Sequence, residues 1–454
     1  MTDSTEPRFS WWLVLRLCTF QIGSAMGDIL VTSIWNRIMI VNLDFPALPV
    51  GLLIALRYLL SPLSLYAGFR SDNSPLFGMH RTTYIWLGRG LMVLSFPLLG
   101  LSLTLFDASR NDAFGWLVAF VSFFLYGTGT LLSGSPFLAL VRDAMPKARQ
   151  GLALSVLETA LIVFFPIAAI SFSILLKDYT LSGFWELVLL TMVVGGFFWV
   201  LAIAGVEKRV PREMRAKAVQ TTRAQFNTLR ATFGRIWRDR RARAFMLFLA
   251  VATLSAWAQD AILEPFGAEV LRATLAQTTR YSSYWQGTTA LVLIVAAIVW
   301  RKRHPESQTP IAQVGLGIMA AGMLLLALTS FSQIAWVINP ALIVFGFGFG
   351  LYTFSAFQLL VVMTSDREAG AYLGLWTVTI LLARGIGISL GGALRDALIA
   401  LTNAPPDAYG IIFALEGFGL LVSVFLLTRV NFVSFARDTG RIAAAEAQVI
   451  AAEL

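Results

Sequence analysis

Histidine, cysteine and charge are all scarce in this 454-residue chain, and each scarcity removes a class of function. The two histidines, His80 and His304, are too few for a His-rich metal site, and neither falls in an apolar run. Cys18 stands alone, which excludes an intrachain disulfide and any CxxC metal or redox motif. Charged residues make up 13% of the chain, about half the roughly 25% usual in soluble domains, while 57% is hydrophobic. A soluble enzyme of two or three domains is thereby excluded. Twelve membrane helices of roughly 20 residues need about 240 apolar residues, and this composition supplies them. Ahead of Trp11 lie two acids and one arginine, with no basic segment and no small-residue cleavage site. The N-terminus is therefore expected to be a short retained tail.

Long apolar runs separated by short polar links fall near 12–40, 47–69, 82–106, 114–140, 150–176, 184–205, 244–268, 281–300, 311–331, 335–363, 370–398 and 408–430. Twelve spans put both termini on one side of the bilayer. The links on that side hold 25 of the 35 lysines and arginines. The other side holds Arg110, Lys177, Arg272, Arg280 and Arg395, and Arg16, Arg37, Arg57, Arg89 and Arg384 sit within spans. Positive charge stays inside, so both termini are expected to be cytoplasmic. The net charge of +9 then needs no nucleic acid to explain it. The basic link 206–243, with 12 basic and 3 acidic residues, is expected to lie against anionic lipid headgroups.

That link divides the chain into an N-terminal six-helix half (1–205) and a C-terminal six-helix half (244–430), followed by a cytoplasmic tail (431–454). The halves carry matching motifs. Gly27-Asp28-Ile29-Leu30-Val31 in the first span matches Gln259-Asp260-Ala261-Ile262-Leu263 in the seventh, acid for acid. Gly127-Thr128-Gly129 matches Gly346-Phe347-Gly348-Phe349-Gly350, and Arg149-Gln150-Gly151 matches Arg367-Glu368-Ala369-Gly370. Three matches in register point to a duplicated unit. The loop Gly68-Phe69-Arg70-Ser71-Asp72, followed by Gly78 and Arg81, resembles the G-x-x-x-D loop of the major facilitator superfamily. The resemblance implies an all-α polytopic membrane protein with twelve transmembrane helices in two pseudo-symmetric halves. Asp72, Arg81, Asp143, Arg149 and Asp366 are candidates for a cytoplasmic latch, or else ordinary loop-end caps.

A charge inside the bilayer core costs from a few to more than ten kcal/mol, so it turns inward and is paired. Candidate ligand-binding or proton-relay residues are Asp28, Asn36, Arg37, Arg57, Arg89, Glu158, Gln259, Asp260, Glu264 and Arg384. Asp260 and Glu264, four apart, are expected to share a helix face, with Pro265 ending or kinking the helix beside them. Two carboxylates and a carboxamide there suit a proton relay, a hard cation or hydrogen bonds to a ligand's carbonyls; a solvated helix end is the plainer alternative. Gly385-x-Gly387-x-x-x-Gly391 follows no strand, so it is read as close helix packing rather than dinucleotide binding. No catalytic constellation is visible, and no enzymatic activity is expected.

Three strings narrow the resemblance: Asn36-Arg37-Ile38-Met39-Ile40-Val41, Arg81-Thr82-Thr83-Tyr84-Ile85-Trp86-Leu87-Gly88, and Gln259-Asp260-Ala261-Ile262-Leu263-Glu264-Pro265-Phe266-Gly267. They resemble the PucC/LhaA family, the bacteriochlorophyll-delivery branch of that superfamily. The resemblance implies an assembly factor of the photosynthetic membrane, with light-harvesting antenna polypeptides, bacteriochlorophyll and its synthesis enzymes as partners. No tightly bound cofactor or metal is expected, and bacteriochlorophyll is the implied ligand. With no histidine in the membrane, its Mg²⁺ would meet a carboxylate, an amide, a backbone carbonyl or water, which suits a carrier that must let go. A proton-coupled transporter of a small, perhaps anionic, metabolite and a pure membrane scaffold remain the alternatives.

Overall fold

The computed structural model describes residues 9–73, 76–110, 112–146, 149–207, 234, 236–300, 305–363 and 369–438. Among them the chain is helical apart from its connecting turns and one isolated bridge between Leu76 and Met79. Twelve helices are long and apolar enough to cross a membrane. Spans 1 to 6 are Trp11–Asn42, Ala47–Ser64, Thr82–Ala108, Ala113–Asp143, Gln150–Leu175 and Leu181–Ile203. Spans 7 to 12 are Arg240–Ala261, Leu275–Val299, Thr309–Ser332, Ala335–Leu360, Tyr372–Thr402 and Pro405–Thr428. The expected apolar runs fall on these spans. Span 8 begins six residues ahead of its apolar run, because Thr274 and Gln277 form a reciprocal capping box that starts a helix through the polar string Thr278-Thr279-Arg280.

Two compact units divide the chain, one of Met1–Asp44 with Leu56–Arg223 and one of Phe45–Ala55 with Ala224–Leu454. In the first unit span 3 packs along span 4, and span 1 lies against spans 5 and 6. In the second, span 9 packs on spans 10 and 12, span 8 on span 10, and span 7 on spans 11 and 12.

Spans 1 and 7 are not uniform α-helices, and each departs from α geometry at its acid. Span 1 is α-helical through Asp28 and then takes π-helical turns over Ile29–Trp35 and Ile38–Asn42. Span 7 is α-helical to Trp257, tightens to a 3₁₀ turn over Ala258–Ala261, and restarts as a short helix, Leu263–Glu269. Pro265 therefore neither ends nor kinks the helix as expected. It sits in the first turn of the new helix, where its missing N–H has no intrahelical partner to lose. The break upstream also places Asp260 and Glu264 in different elements, so the expected shared helix face does not exist.

Small residues set the closest approaches. A Cβ at Gly387 would lie 2.7 Å from the Leu254 carbonyl oxygen, and one at Gly391 would overlap the Ala258 carbonyl, so span 11 rests directly on span 7. This is the close packing read from the glycine spacing. A Cβ at Gly127 would lie 3.0 Å from the Arg57 backbone, which brings span 2 equally close to span 4. Replacing Gly391 with Leu should lower stability by about 1–3 kcal/mol or more by overpacking. Gly317, whose Cβ direction is open, should accept Leu with little change. Thermal unfolding in detergent checks both, and equal midpoints would contradict the assigned contact.

Candidate functional site

Each unit buries one acid on its first span and supplies one arginine to it. In the first unit Asp28 pairs with Arg57 of span 2. The same guanidinium donates to the Tyr58 hydroxyl, lies 4.5 Å from the Tyr58 ring centroid and 5.8 Å from that of Tyr126, and the Tyr126 hydroxyl reaches Asp28 at 3.5 Å. Arg57 is in the last turn of the helix Ala47–Leu59, just before Pro62 opens the next helix, and Gly127 admits it against span 4. In the second unit Arg384 of span 11 donates to Asp260 at 3.4 Å and lays its guanidinium 3.3 Å from the Trp257 ring centroid. Gly387 and Gly391 bring that helix within reach of span 7. Around Trp257 stand Trp285 and Phe349, with ring centroids 5.8 and 5.7 Å away, and Phe345 lies 5.7 Å from Trp285.

Both pairs are nearly neutral assemblies in which one event frees a charge. A proton placed on either aspartate leaves its arginine to an incoming anion, and an anion on the arginine releases its aspartate. The aromatic walls supply flat apolar surface beside that charge.

The remaining candidates divide. Glu264 is buried and accepts from the Ser282 hydroxyl of span 8 at 3.4 Å, whereas Asp260 accepts from the Arg384 guanidinium. Gln259 is buried with no hydrogen bond to its Oε1, and Oε1 of Gln286, next to Trp285, is likewise without one. Asn36 and Arg37 are buried at the π-helical end of span 1, where Arg37 donates to Asn42 at 3.0 Å. Glu158 is exposed on span 5 and makes no ion pair among the described residues. Arg89 is buried, 6% exposed, between the rings of Phe20 and Trp199, whose centroids are 4.1 and 4.7 Å from its guanidinium carbon. A desolvated cation–π contact returns about 2 kcal/mol, whereas burying an ion costs several kcal/mol.

Of the latch candidates, Arg81 bonds Asp143 at 3.3 Å and Ser71 at 2.9 Å, all within the first unit. Arg149 lies 5.6 Å from the Phe9 ring. The Asp72 side chain and all of Asp366 lie outside the described residues.

Sequence reasoning missed two groups, and a third, Glu416, it read only as a charge within an apolar run near the interface. Glu207 caps span 3 by accepting from the backbone N–H of His80, Arg81 and Thr82 at 2.6–3.1 Å. At the far end of span 11, Arg395 bonds Glu269, Asp396 and Tyr409, while Asp396 accepts the N–H of Ala47 and Leu48 at the start of span 2. Glu416 is buried in span 12 with no hydrogen bond to either carboxyl oxygen. Its signal, one acid in the apolar run of span 12, was present in the sequence; Glu207 and Asp396 act through backbone groups of distant elements, which no sequence pattern announces.

Asp28→Asn and Arg57→Met, each alone, should destabilise by about 3–5 kcal/mol, because each strands the partner. The double variant should lose much less than the sum. A double-mutant cycle by thermal unfolding checks this, and simple additivity would refute the coupling.

With this geometry in view, comparison with known proteins is direct. A family model described as PUCC protein matches residues 34–435. "Protein PucC" of Rhodovulum sulfidophilum is 31% identical over 85% of this chain and 85% of its own length. A protein of Rhodobacter capsulatus named "Bacteriochlorophyll synthase 44.5 kDa chain" is 27% identical over 92% of this chain and 95% of its own. Among solved structures, a POT family transporter in complex with 5-aminolevulinic acid superposes with a TM-score of 0.70 at 14% identity, covering 95% of this chain and 99% of that one. The nucleoside transporter NupG gives 0.62 at 13% identity, covering 92% and 99%. The twelve-helix chain thus has the transporter fold of the major facilitator superfamily, and its sequence makes it a member of the PucC family.

Proposed function

We propose that this protein is a non-enzymatic assembly factor for light-harvesting antenna complexes that binds bacteriochlorophyll and hands it to antenna polypeptides in the photosynthetic membrane, with both termini cytoplasmic. Family membership over residues 34–435 is the observation that carries this reading. The second unit supports it chemically. Trp257 and Phe349, both half-buried, supply aromatic surface for a flat macrocycle, with Trp285 and Phe345 packed behind them. The Arg384 guanidinium beside them is a donor suited to the macrocycle's peripheral carbonyls. The unsatisfied amide oxygen of Gln286 is an acceptor of the kind Mg²⁺ takes, directly or through water. Weak oxygen ligation is what a carrier needs, since its cargo must leave.

The test is an absorption spectrum of the protein gently purified from its photosynthetically grown host, together with antenna levels in strains carrying variants. Wild type should retain bacteriochlorophyll in the absence of antenna polypeptides. Trp257→Ala combined with Asp260→Asn should cut retained pigment and antenna accumulation several-fold while the protein itself persists in the membrane. A colourless wild-type protein, in a host whose antenna accumulates normally without it, would defeat the reading.

The fold favours one second reading, proton-coupled transport of a small metabolite, because the structural neighbours are transporters. Substrate-dependent proton flux into proteoliposomes, abolished by Asp28→Asn, is its expected signature.

A further inference from the structure

Among the described residues Arg89 has no acidic partner: Asp28, the acid of span 1, pairs with Arg57, and no ion pair reaches Arg89. Of the five guanidinium N–H groups, only those on Nη1 find an acceptor, the Met92 thioether at 3.2 Å, which is a weak one. Nε is buried with no acceptor at all.

The surroundings are built rather than accidental. Gly23 and Gly195 let spans 1 and 6 meet so closely that a Cβ at Gly23 would lie 2.8 Å from the Gly195 Cα. That contact carries Trp199 over span 1, where its indole N–H donates to the Phe20 carbonyl at 3.1 Å. Phe20 in turn stacks on Phe137 with ring centroids 3.6 Å apart. The result is a cation held between two fixed rings with its Nε–H unanswered, a planar fork of the kind that takes a two-oxygen acceptor. A phosphate dianion would overshoot one positive charge, while a single carboxylate balances it, and the aromatic walls demand that the carboxylate be attached to a large apolar body.

We infer that Arg89 is the binding site for the single carboxylate of an amphipathic acid. Two sources carry that chemistry, a long-chain fatty acid and a macrocycle whose propionic side chain is free rather than esterified. The second source rests on the proposed pigment function, and under it Arg89 takes the free-acid pigment precursor as a ligand additional to bacteriochlorophyll. The first does not depend on that function.

Full-length protein in nanodiscs of neutral phosphatidylcholine separates these by tryptophan quenching or competition with four probes: bacteriochlorophyllide, its methyl ester, oleate and methyl oleate. Wild type should bind at least one free acid about tenfold tighter than its own ester, a difference of ~1.4 kcal/mol. Arg89→Met, which fills the slot between the rings without charge, should bind acid and ester equally, with ester affinity unchanged. Arg89→Lys should keep part of the preference. Preference in the macrocycle pair assigns the pigment precursor. Preference in the oleate pair alone assigns a lipid acid and leaves the site standing without the pigment precursor, while the proposed function is decided separately by the pigment retained on purification. Equal binding of acid and ester in both pairs, no binding of any probe, or a preference that survives in Arg89→Met would overturn the inference. The wild-type comparison needs no variant to fold.

Discussion

Every functional feature of this molecule follows from the penalty for an unpaired charge in a medium without water. An aspartate in the middle of an apolar helix must meet a cation or give up its charge, and the only cations available are arginines on neighbouring helices. Meeting them requires helix axes closer than ordinary side chains allow. Gly127 opposite Arg57, and Gly387 and Gly391 beside Asp260, are therefore part of the ion pairs as much as the charged groups are. The electrostatics dictate where the small residues fall, and the small residues dictate which helices touch.

The duplicated architecture makes the differences between the units informative. The acids occupy matching places in spans 1 and 7, but their arginines do not. In a six-span repeat the counterpart of span 2 is span 8 and the counterpart of span 5 is span 11, yet the partners come from spans 2 and 11. The chemistry diverges likewise: tyrosine hydroxyls and ring faces surround Arg57, whereas an indole face covers Arg384. The two units therefore present different chemistry at their equivalent acids.

Much of this was legible in the sequence. The spans followed from composition and periodicity because a membrane helix is a statistical object of about 20 apolar residues. Buried charges were legible for the same reason, each standing out against its run. Pairing was not legible, since Arg384 and Asp260 are 124 positions apart and only packing decides that they meet. Reading Asp260 and Glu264 as one face assumed an uninterrupted α-helix, and the 3₁₀ turn over Ala258–Ala261 breaks that periodicity before Glu264 is reached. Arg81 and Asp143 were each read as latch candidates without a partner, and the ion pair between them joins two spans of a single unit. Glu207 was passed over because a lone acid in a basic link looks like solvated charge, whereas its carboxylate takes up three N–H groups at the start of span 3.

The irregular backbone at both acids has a physical consequence of its own. A π-helical turn after Asp28 and a 3₁₀ turn at Asp260 alter the angle between successive side chains, so each carboxylate points in a direction that a uniform helix would give to a neighbour. Both distortions weaken the local hydrogen-bond ladder, and in a membrane that weakness persists only where packing or an ion pair over-determines the conformation. The pair and the distortion thus hold each other in place: the arginine fixes the carboxylate, and the fixed carboxylate keeps the turn from relaxing to α. Each ion pair thus sits where its own span leaves α geometry, Asp28–Arg57 at the start of the π-helical turns of span 1 and Asp260–Arg384 at the 3₁₀ turn of span 7, so the least regular backbone of each span is also the most firmly tied by charge.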